Sequence, residues 1–443
     1  MGISARQIAF QALVSVEIDR SYSNIILNNL LTDFDVDLID KNFISALFYG
    51  VLEKKLLLDY NLSQFSDRPV NKLDTGLLVI LRMGLYQIFF MDSVPDRAAV
   101  NETVNLCKVN KLNSASGFVN AVLRAASRAG KISLPNPKKG KNKYLSIKYS
   151  CPEPIIKLWR NAYGDELTVG MLELLDGRPP ISARTNTLKT SADKLIALLD
   201  EEGVAAELAE PPGNRLLLRD TGSVEELDAF RCGLFHIQDA ASQLCCGLLA
   251  PEPGHTVIDA CSAPGGKAFT MAQLMENRGR IVCCDMYESR LRMVRSGAQR
   301  LGTDIIETVA ADASETDSFP EADRILCDVP CSGLGIIRRK PELRYKSDTG
   351  ADVLPEIQYR ILCNCAGYLR RGGSLVYSTC TLNPAENGDN IRRFLREHED
   401  FEAAELSLPQ GIKRGIDEPG NELTLFPQIN GTDGFFISMV RRK

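Results

Sequence analysis

The sequence predicts a multidomain chain. An all-α domain spans residues 1–130, a small α+β domain 151–240, and a doubly wound, Rossmann-like α/β domain 241–443, with 131–150 as a basic linker. Three observations predict this. Apolar residues recur at helical spacing through the first domain. Composition then shifts to Pro, Gly and Lys. After residue 240, strand-like apolar runs alternate with helical patterns. At 443 residues the chain also exceeds what one ordinary core organises.

In the first domain Ile8, Leu13, Val16 and Ile18 keep to one helical stripe. Phe43-Ile44, Leu47-Phe48 and Val51-Leu52 recur at the i, i+4, i+8 spacing of one buried helix face. A further apolar helix runs from Asp74 to Phe90 and is broken by Val94-Pro95, and Ala98–Asn110 and Ser116–Ser127 complete a short-linked bundle. In the linker, Pro135, Pro137 and Gly140 interleave with Lys138, Lys139, Lys141, Lys143, Lys148, Tyr144 and Tyr149. A solvated hinge is the simplest reading, and a contact with a phosphate backbone the sharper one.

The middle domain shows strand patterns at Ile181–Asn186, Arg215–Leu218 and Phe235–Gln238, and a helix at Ser191–Glu202 ended by Gly203. The last domain has strand runs at Thr256–Asp259, Arg280–Asp285, Ile306–Ala311, Arg324–Asp328 and Ser374–Ser378. Helices Glu288–Leu301 and Leu354–Arg370 lie between them, the latter stopped by Gly372-Gly373. Such alternation means a mostly parallel sheet. The runs Phe401–Leu406 and 434–440 predict an antiparallel pair at one edge.

Composition narrows the function classes. No apolar run is long enough to span a bilayer, and Met1–Arg20 lacks the apolar core of a signal peptide, so a cytoplasmic protein is expected. The 13 cysteines are odd in number and lack zinc-ligand spacing, and three histidines leave little for a metal centre, so no metal is expected. A net charge of −5 gives no overall field for nucleic acid, and any such contact must be local.

The strand Val257–Asp259 runs into Ala260-Cys261-Ser262-Ala263-Pro264-Gly265-Gly266-Lys267 and then a helix. In open α/β sheets the ligand binds beyond the carboxyl ends of the strands. A nucleotide-triphosphate loop would need Gly at 261 and Ser or Thr at 268, where Cys261 and Ala268 stand, and the dinucleotide G-x-G-x-x-G is absent. S-adenosylmethionine remains. Cys261, Ser262, Ala263, Pro264, Gly265, Gly266 and Lys267 would hold it, with Asp285 on the ribose and Asp312 near the adenine.

Two cysteines follow adjacent strands at the same edge, in Asp328-Val329-Pro330-Cys331-Ser332-Gly333 and Ser378-Thr379-Cys380-Thr381. A thiolate that adds to carbon 6 of cytosine makes carbon 5 nucleophilic enough to take a methyl group. A carboxyl at Asp328 near ring N3 would stabilise the adduct, and Lys267 could lower a thiol pKa or hold a carboxylate. Spacing does not rank the two cysteines.

The strings DACSAPGGK, DVPCSGLG and YSTCTLNPAEN resemble the RNA 5-methylcytidine methyltransferases of the Sun/NOL-NOP family, in particular the bacterial RsmB/Sun (Fmu) branch. LFYGVLEKKLLLDY, LLVILRMGLYQIFFMDSVPDRAAVNETVNLCK, GLFHIQDAASQL and GTDGFFISMVRRK are similar to that branch as well, so the resemblance covers nearly all of the chain. It implies a NusB-like, RNA-binding N-terminal domain and S-adenosylmethionine as cofactor. The implied target is 16S ribosomal RNA, at the position named cytosine 967, free or in an early small-subunit assembly, and a monomer is expected. It also implies Cys380 as nucleophile, Cys331 as the residue that assists release, and cofactor contacts at 261–267, Asp285, Arg290, Asp312 and Asp328. Ser262, Ala268 and Val329 depart slightly from the family pattern. On the RNA side, Arg338, Arg339 and Lys340 form a basic loop shortly after Cys331, and Arg184, Asn186 and Lys189 are weaker candidates.

Overall fold

The computed structural model describes residues 3–19, 22–34, 36–177, 179–346 and 353–443. They form two compact units. One is Met1–Gly177 with Ile337–Ser347, the other Arg178–Ile336 with Asp348–Lys443.

The first unit is helical. Helices Ala5–Asp19, Leu38–Glu53, Thr75–Phe90, Asp96–Val109 and Ser116–Ala129 bury their apolar faces in one core. Asp74 starts the third of these by accepting hydrogen bonds from the Gly76 and Leu77 N–H groups, and Gly130 ends the last in the left-handed region. Ile8, Leu13 and Val16 are buried as the stripe requires, but Ile18 is 64% exposed, so the buried face ends one turn earlier than expected. The basic stretch 131–150 is not irregular throughout. Lys141–Tyr149 is a helix that buries Leu145 and Tyr149 while Lys138, Lys139, Lys141 and Lys143 face solvent. The long helix Glu153–Glu173, with Trp159 buried, also belongs to this unit.

A late segment of the chain completes the unit. The buried Arg344 guanidinium donates to the carbonyls of Ile337, Glu53, Ser150 and Leu175 at 3.2–3.4 Å. Glu342 accepts from the backbone N–H and the hydroxyl of Ser23 at 3.1 and 2.7 Å.

The second unit holds two sheets. Strands β1 (Ile181–Thr185), β2 (Ala205–Leu208), β3 (Arg215–Arg219) and β4 (Phe235–Ile237) make an antiparallel sheet in the order β2-β3-β1-β4. Strands β5 (Thr256–Asp259), β6 (Arg280–Asp285), β7 (Ile306–Ala310), β8 (Ala322–Asp328) and β9 (Leu369–Thr379) run parallel in the order β9-β8-β5-β6-β7. The antiparallel strands β10 (Phe401–Ala403), β11 (Glu422–Leu425) and β12 (Phe435–Arg442) extend the β9 edge. Both faces of the large sheet are apolar and covered. The chain leaves β5 toward β6 on one side and returns through β8 on the other, which opens a crevice at the carboxyl ends of β5 and β8.

One helix end differs from expectation. The helix from Leu354 stops at Ala366, and Gly372-Gly373 lie inside β9. There the pairing moves from Ala322–Leu369 to Arg324–Ser374, so β9 bulges. Gly372 has φ +76°, and a Cβ on Gly373 would sit 2.9 Å from the Asp323 carbonyl. The glycines serve the bulge, not a helix cap.

Candidate active site

The loop after β5 is shaped by Gly265, whose φ is +107° and whose added Cβ would lie 2.5 Å from the Phe269 ring. The helix Gly266–Leu274 follows. Beside it is a pocket of about 200 Å³ lined by Cys261, Ser262, Ala263, Pro264, Gly266, Lys267 and Asp328, all expected from the sequence. Gln238, Asp239, Ser242 and Asp259 also line it and lie outside the set the sequence singled out. The string HIQDAAS was the available signal for the first three, since Asp239 caps the helix Ala240–Leu249 by accepting from the Ala241 N–H at 2.8 Å.

Asp259 is the most telling of these. It is 1% exposed, and neither carboxylate oxygen has a hydrogen-bond partner. Burial pushes its carboxyl up to about 7, Asp328 adds to the shift, and Lys267 and the nearby Cys261 backbone N–H oppose it. A buried, unpartnered carboxyl on the pocket wall fits a cationic ligand, and the glycine-shaped loop fits close approach of its backbone. Both features suit S-adenosylmethionine, a sulfonium carrying an ammonium group.

The other expected contacts lie around this pocket without lining it. Asp285, at the end of β6 and 4% exposed, pairs with Arg290 at 2.9 Å. Arg290 also donates to the Ala263 carbonyl at 3.0 Å and so ties the end of β6 to the loop. Asp312, beyond β7, accepts from the Ser314 N–H at 2.8 Å.

Lys267 donates to Asp328 Oδ2 at 2.6 Å, and the Ser378 hydroxyl donates to Asp328 Oδ1 at 2.7 Å. Burial works against the lysine charge, but Asp328 outweighs it and holds the ammonium above its ordinary pKa. Of the two roles open to Lys267, holding a carboxylate is the one the geometry supports.

Asp328 and Ser378 are in register on β8 and β9, and each strand leads straight into a cysteine. The sulfurs of Cys331 and Cys380 are 3.1 Å apart, and both residues are half-buried. The Cys331 thiol is held well above its ordinary value, first by its hydrogen bond to Cys380, then by burial and by the charges of Cys380 and Glu386. Cys327 is fully buried in β8.

The basic candidates divide. Arg338, Arg339 and Lys340 belong to the first unit and are half-buried. Arg338 Nε donates to the Gly177 carbonyl at 3.3 Å, and Lys340 lies 4.5 Å from the Tyr22 ring centre. Arg184 and Asn186 are buried. Arg184 donates to Gln273 at 2.9 Å, Asn186 to the Gly233 and Leu301 carbonyls, and Lys189 to the Cys232 and Arg300 carbonyls. These contacts fasten the small sheet to the large domain, with Arg184 and Asn186 buried and Lys189 exposed. Among the described residues no helix is long and apolar enough to cross a membrane.

Comparison with known proteins agrees with this architecture. Residues 246–441 match the family described as 16S rRNA methyltransferase RsmB/F, residues 3–128 the NusB family, and residues 151–225 the ferredoxin-like domain of RsmF/B-like methyltransferases. The chain is 35% identical over 448 residues, covering 99% of each, to a Bacillus subtilis protein named a probable ribosomal RNA small subunit methyltransferase B. It is 30% identical to the Escherichia coli ribosomal RNA small subunit methyltransferase B, with 99% of this chain and 98% of that one covered. The crystal structure of PH0851 superposes with a TM-score of 0.84 at 26% identity over 100% of both chains. NSun6 from Pyrococcus horikoshii, crystallised with SFG, superposes with a TM-score of 0.60 at 26% identity, over 66% of this chain and 98% of that one. The chain therefore belongs to the ribosomal RNA small subunit methyltransferase B family.

Proposed function

We propose that this protein methylates carbon 5 of one cytosine in 16S ribosomal RNA through a transient bond between Cys380 and the base. S-adenosylmethionine is the cofactor and supplies an electrophilic methyl carbon. Cys380 adds to carbon 6 of the ring, and carbon 5 then takes the methyl group. Removal of the carbon-5 proton lets the thiolate leave. Asp328, oriented by Lys267 and Ser378, stands beside ring N3 as charge develops in the adduct. Asp259, Asp285, Arg290, Asp312 and the loop 261–267 hold the cofactor. The base must leave its stack to meet a thiol at the sheet edge, which suits an unpaired cytosine in folded RNA. Arg338, Arg339 and Lys340 remain our candidates for backbone phosphates, the NusB-like domain for further RNA contact, and the cytoplasm for the place of action.

The observation that carries this reading is the 3.1 Å separation of two thiols at the ends of adjacent strands, next to a pocket-lining carboxylate. Cys380, burial and the Glu386 charge together hold the Cys331 thiol well above its ordinary value, which suits Cys331 for proton delivery at release and leaves attack to Cys380. In a DNA-type cytosine methyltransferase the cysteine after proline, here Cys331, would attack instead. Variants tested on 16S RNA separate the two. Cys380→Ala should abolish methylation and form no covalent RNA complex, and Cys331→Ala should accumulate that complex on denaturing gels. A Cys380→Ala enzyme that still captures RNA would overturn the assignment.

A further inference from the structure

One buried carboxylate near the thiols has no part in the chemistry above. Glu386, 0% exposed, ends the short turn Pro384–Glu386 that follows Cys380. Its Oε2 accepts from the Ser332 N–H and from Gln358 Nε2, both at 2.9 Å. Its Oε1 accepts from the Ser332 hydroxyl at 2.5 Å and Asn383 Nδ2 at 3.0 Å. All four donors are neutral, and no lysine, arginine or histidine pairs with it among the described residues. A lone buried anion is an expensive way to bridge two loops, and a neutral side chain would desolvate at far lower cost. Ser332 directly follows Cys331, so this anion grips the turn that carries one thiol from the segment that carries the other.

We propose that Glu386 is the positioning residue of the two-thiol centre: its carboxylate clamps the Cys331 turn onto the Cys380 segment and sets a fixed negative charge beside Cys331, which divides the labour of the two sulfurs. The inference rests on the reading that Cys380 attacks and Cys331 assists release. The two sulfurs are 3.1 Å apart, and a nearby anion disfavours the thiolate of Cys331, which is held well above its ordinary value. Tyr377, with the fully buried Cys327 beside it, also faces this cluster. Its hydroxyl donates to the Glu386 carbonyl at 2.6 Å, and burial keeps it neutral.

The test uses the full chain without RNA or cofactor. Iodoacetamide alkylation of Cys331 and Cys380 is followed by mass spectrometry from pH 6 to 10. In the wild type, Cys380 should react ahead of Cys331 throughout, and equal or reversed rates would overturn the proposal. Glu386→Gln removes the charge and should raise the Cys331 rate at pH 8 by about tenfold, one unit of midpoint. Ser332→Ala removes a donor but keeps the charge, and should leave the Cys331 midpoint where it was. An unchanged Cys331 profile in Glu386→Gln, or an equal shift in Ser332→Ala, refutes the role of the charge. Should Glu386→Gln fail to fold, a reversed wild-type order or a shifted Cys331 midpoint in Ser332→Ala still overturns the proposal. Because alkylation needs no RNA, these outcomes are independent of whether Cys380→Ala captures RNA, so failure of the nucleophile reading is distinguishable.

Discussion

At the scale of single residues, Asp259 makes a pH-dependent claim. Its carboxyl titrates near 7 in the folded protein, against about 3.9 in an unfolded chain. Between those values the folded state binds more protons, so this residue's contribution to stability declines as pH rises from about 4 to 7. A bound cation reverses the preference and draws the proton off. S-adenosylmethionine binding to the wild type should therefore strengthen between pH 6 and 8, with proton release measurable by calorimetry in buffers of different ionisation enthalpy. Asp259→Asn should bind more weakly at pH 8 and lose most of that pH dependence. Identical pH profiles in the two proteins would refute the assignment. The sequence placed Asp259 at a strand end, one residue before the loop, but a missing partner is a property of three-dimensional packing and leaves no trace in spacing. Asp328 was legible for the opposite reason: it ends a strand and opens a motif. Its partners Lys267 and Ser378 come from two other segments, and only the parallel register of β8 and β9 brings Ser378 to it.

At the scale of elements, the placement of Cys380 depends on two glycines that touch. The Gly335 N–H donates to the Cys380 carbonyl at 2.9 Å, and the Gly434 N–H donates to the Gly335 carbonyl at 3.0 Å. A Cβ on Gly335 would lie 1.9 Å from the Gly434 carbonyl oxygen and 2.8 Å from that of Cys380. Neither oxygen can yield without moving its strand. Gly335→Ala should push the Cys380 segment out of line and lower kcat by about 100-fold, the usual consequence of a 1 Å misplacement. S-adenosylmethionine affinity, measured by calorimetry, should change little, and a loss of kcat under threefold would show that the contact is dispensable. Strings such as SGLG and GTDGFF carried this information only as resemblance. Glycine as punctuation was a weaker guide, since Gly372-Gly373 read as a helix stop and instead form a bulge. Strands β2 and β11 escaped notice because Ala205-Ala206-Glu207-Leu208 has a helix former's composition and all of Glu422–Leu425 is buried, so neither alternates.

At the scale of the whole molecule, sequence order and compact units do not coincide. The three large regions were legible because their patterns differ: helical spacing in the first, short strands with one helix in the second, and strand–helix alternation in the third. The membership of Ile337–Ser347 was not, because a short polar segment has no period, and its nearness to Cys331 in the chain suggested a loop of the catalytic domain. Arg344 explains where it goes. Its guanidinium gathers four carbonyls from Ile337, Glu53, Ser150 and Leu175, at positions in the chain that helices do not join. Truncation would leave those buried acceptors short of donors, each at a cost of order 1 kcal/mol. Arg344→Ala should thus destabilise the first unit by about 2–4 kcal/mol, read as a lower midpoint for the helical unit in chemical denaturation. Lys340→Ala, which loses a half-buried side chain and its 4.5 Å contact with the Tyr22 ring, should cost less than about 1 kcal/mol. If both variants cost the same, the late segment is held by its backbone and apolar contacts. The four-carbonyl grip of Arg344 would then be incidental to the unit's stability.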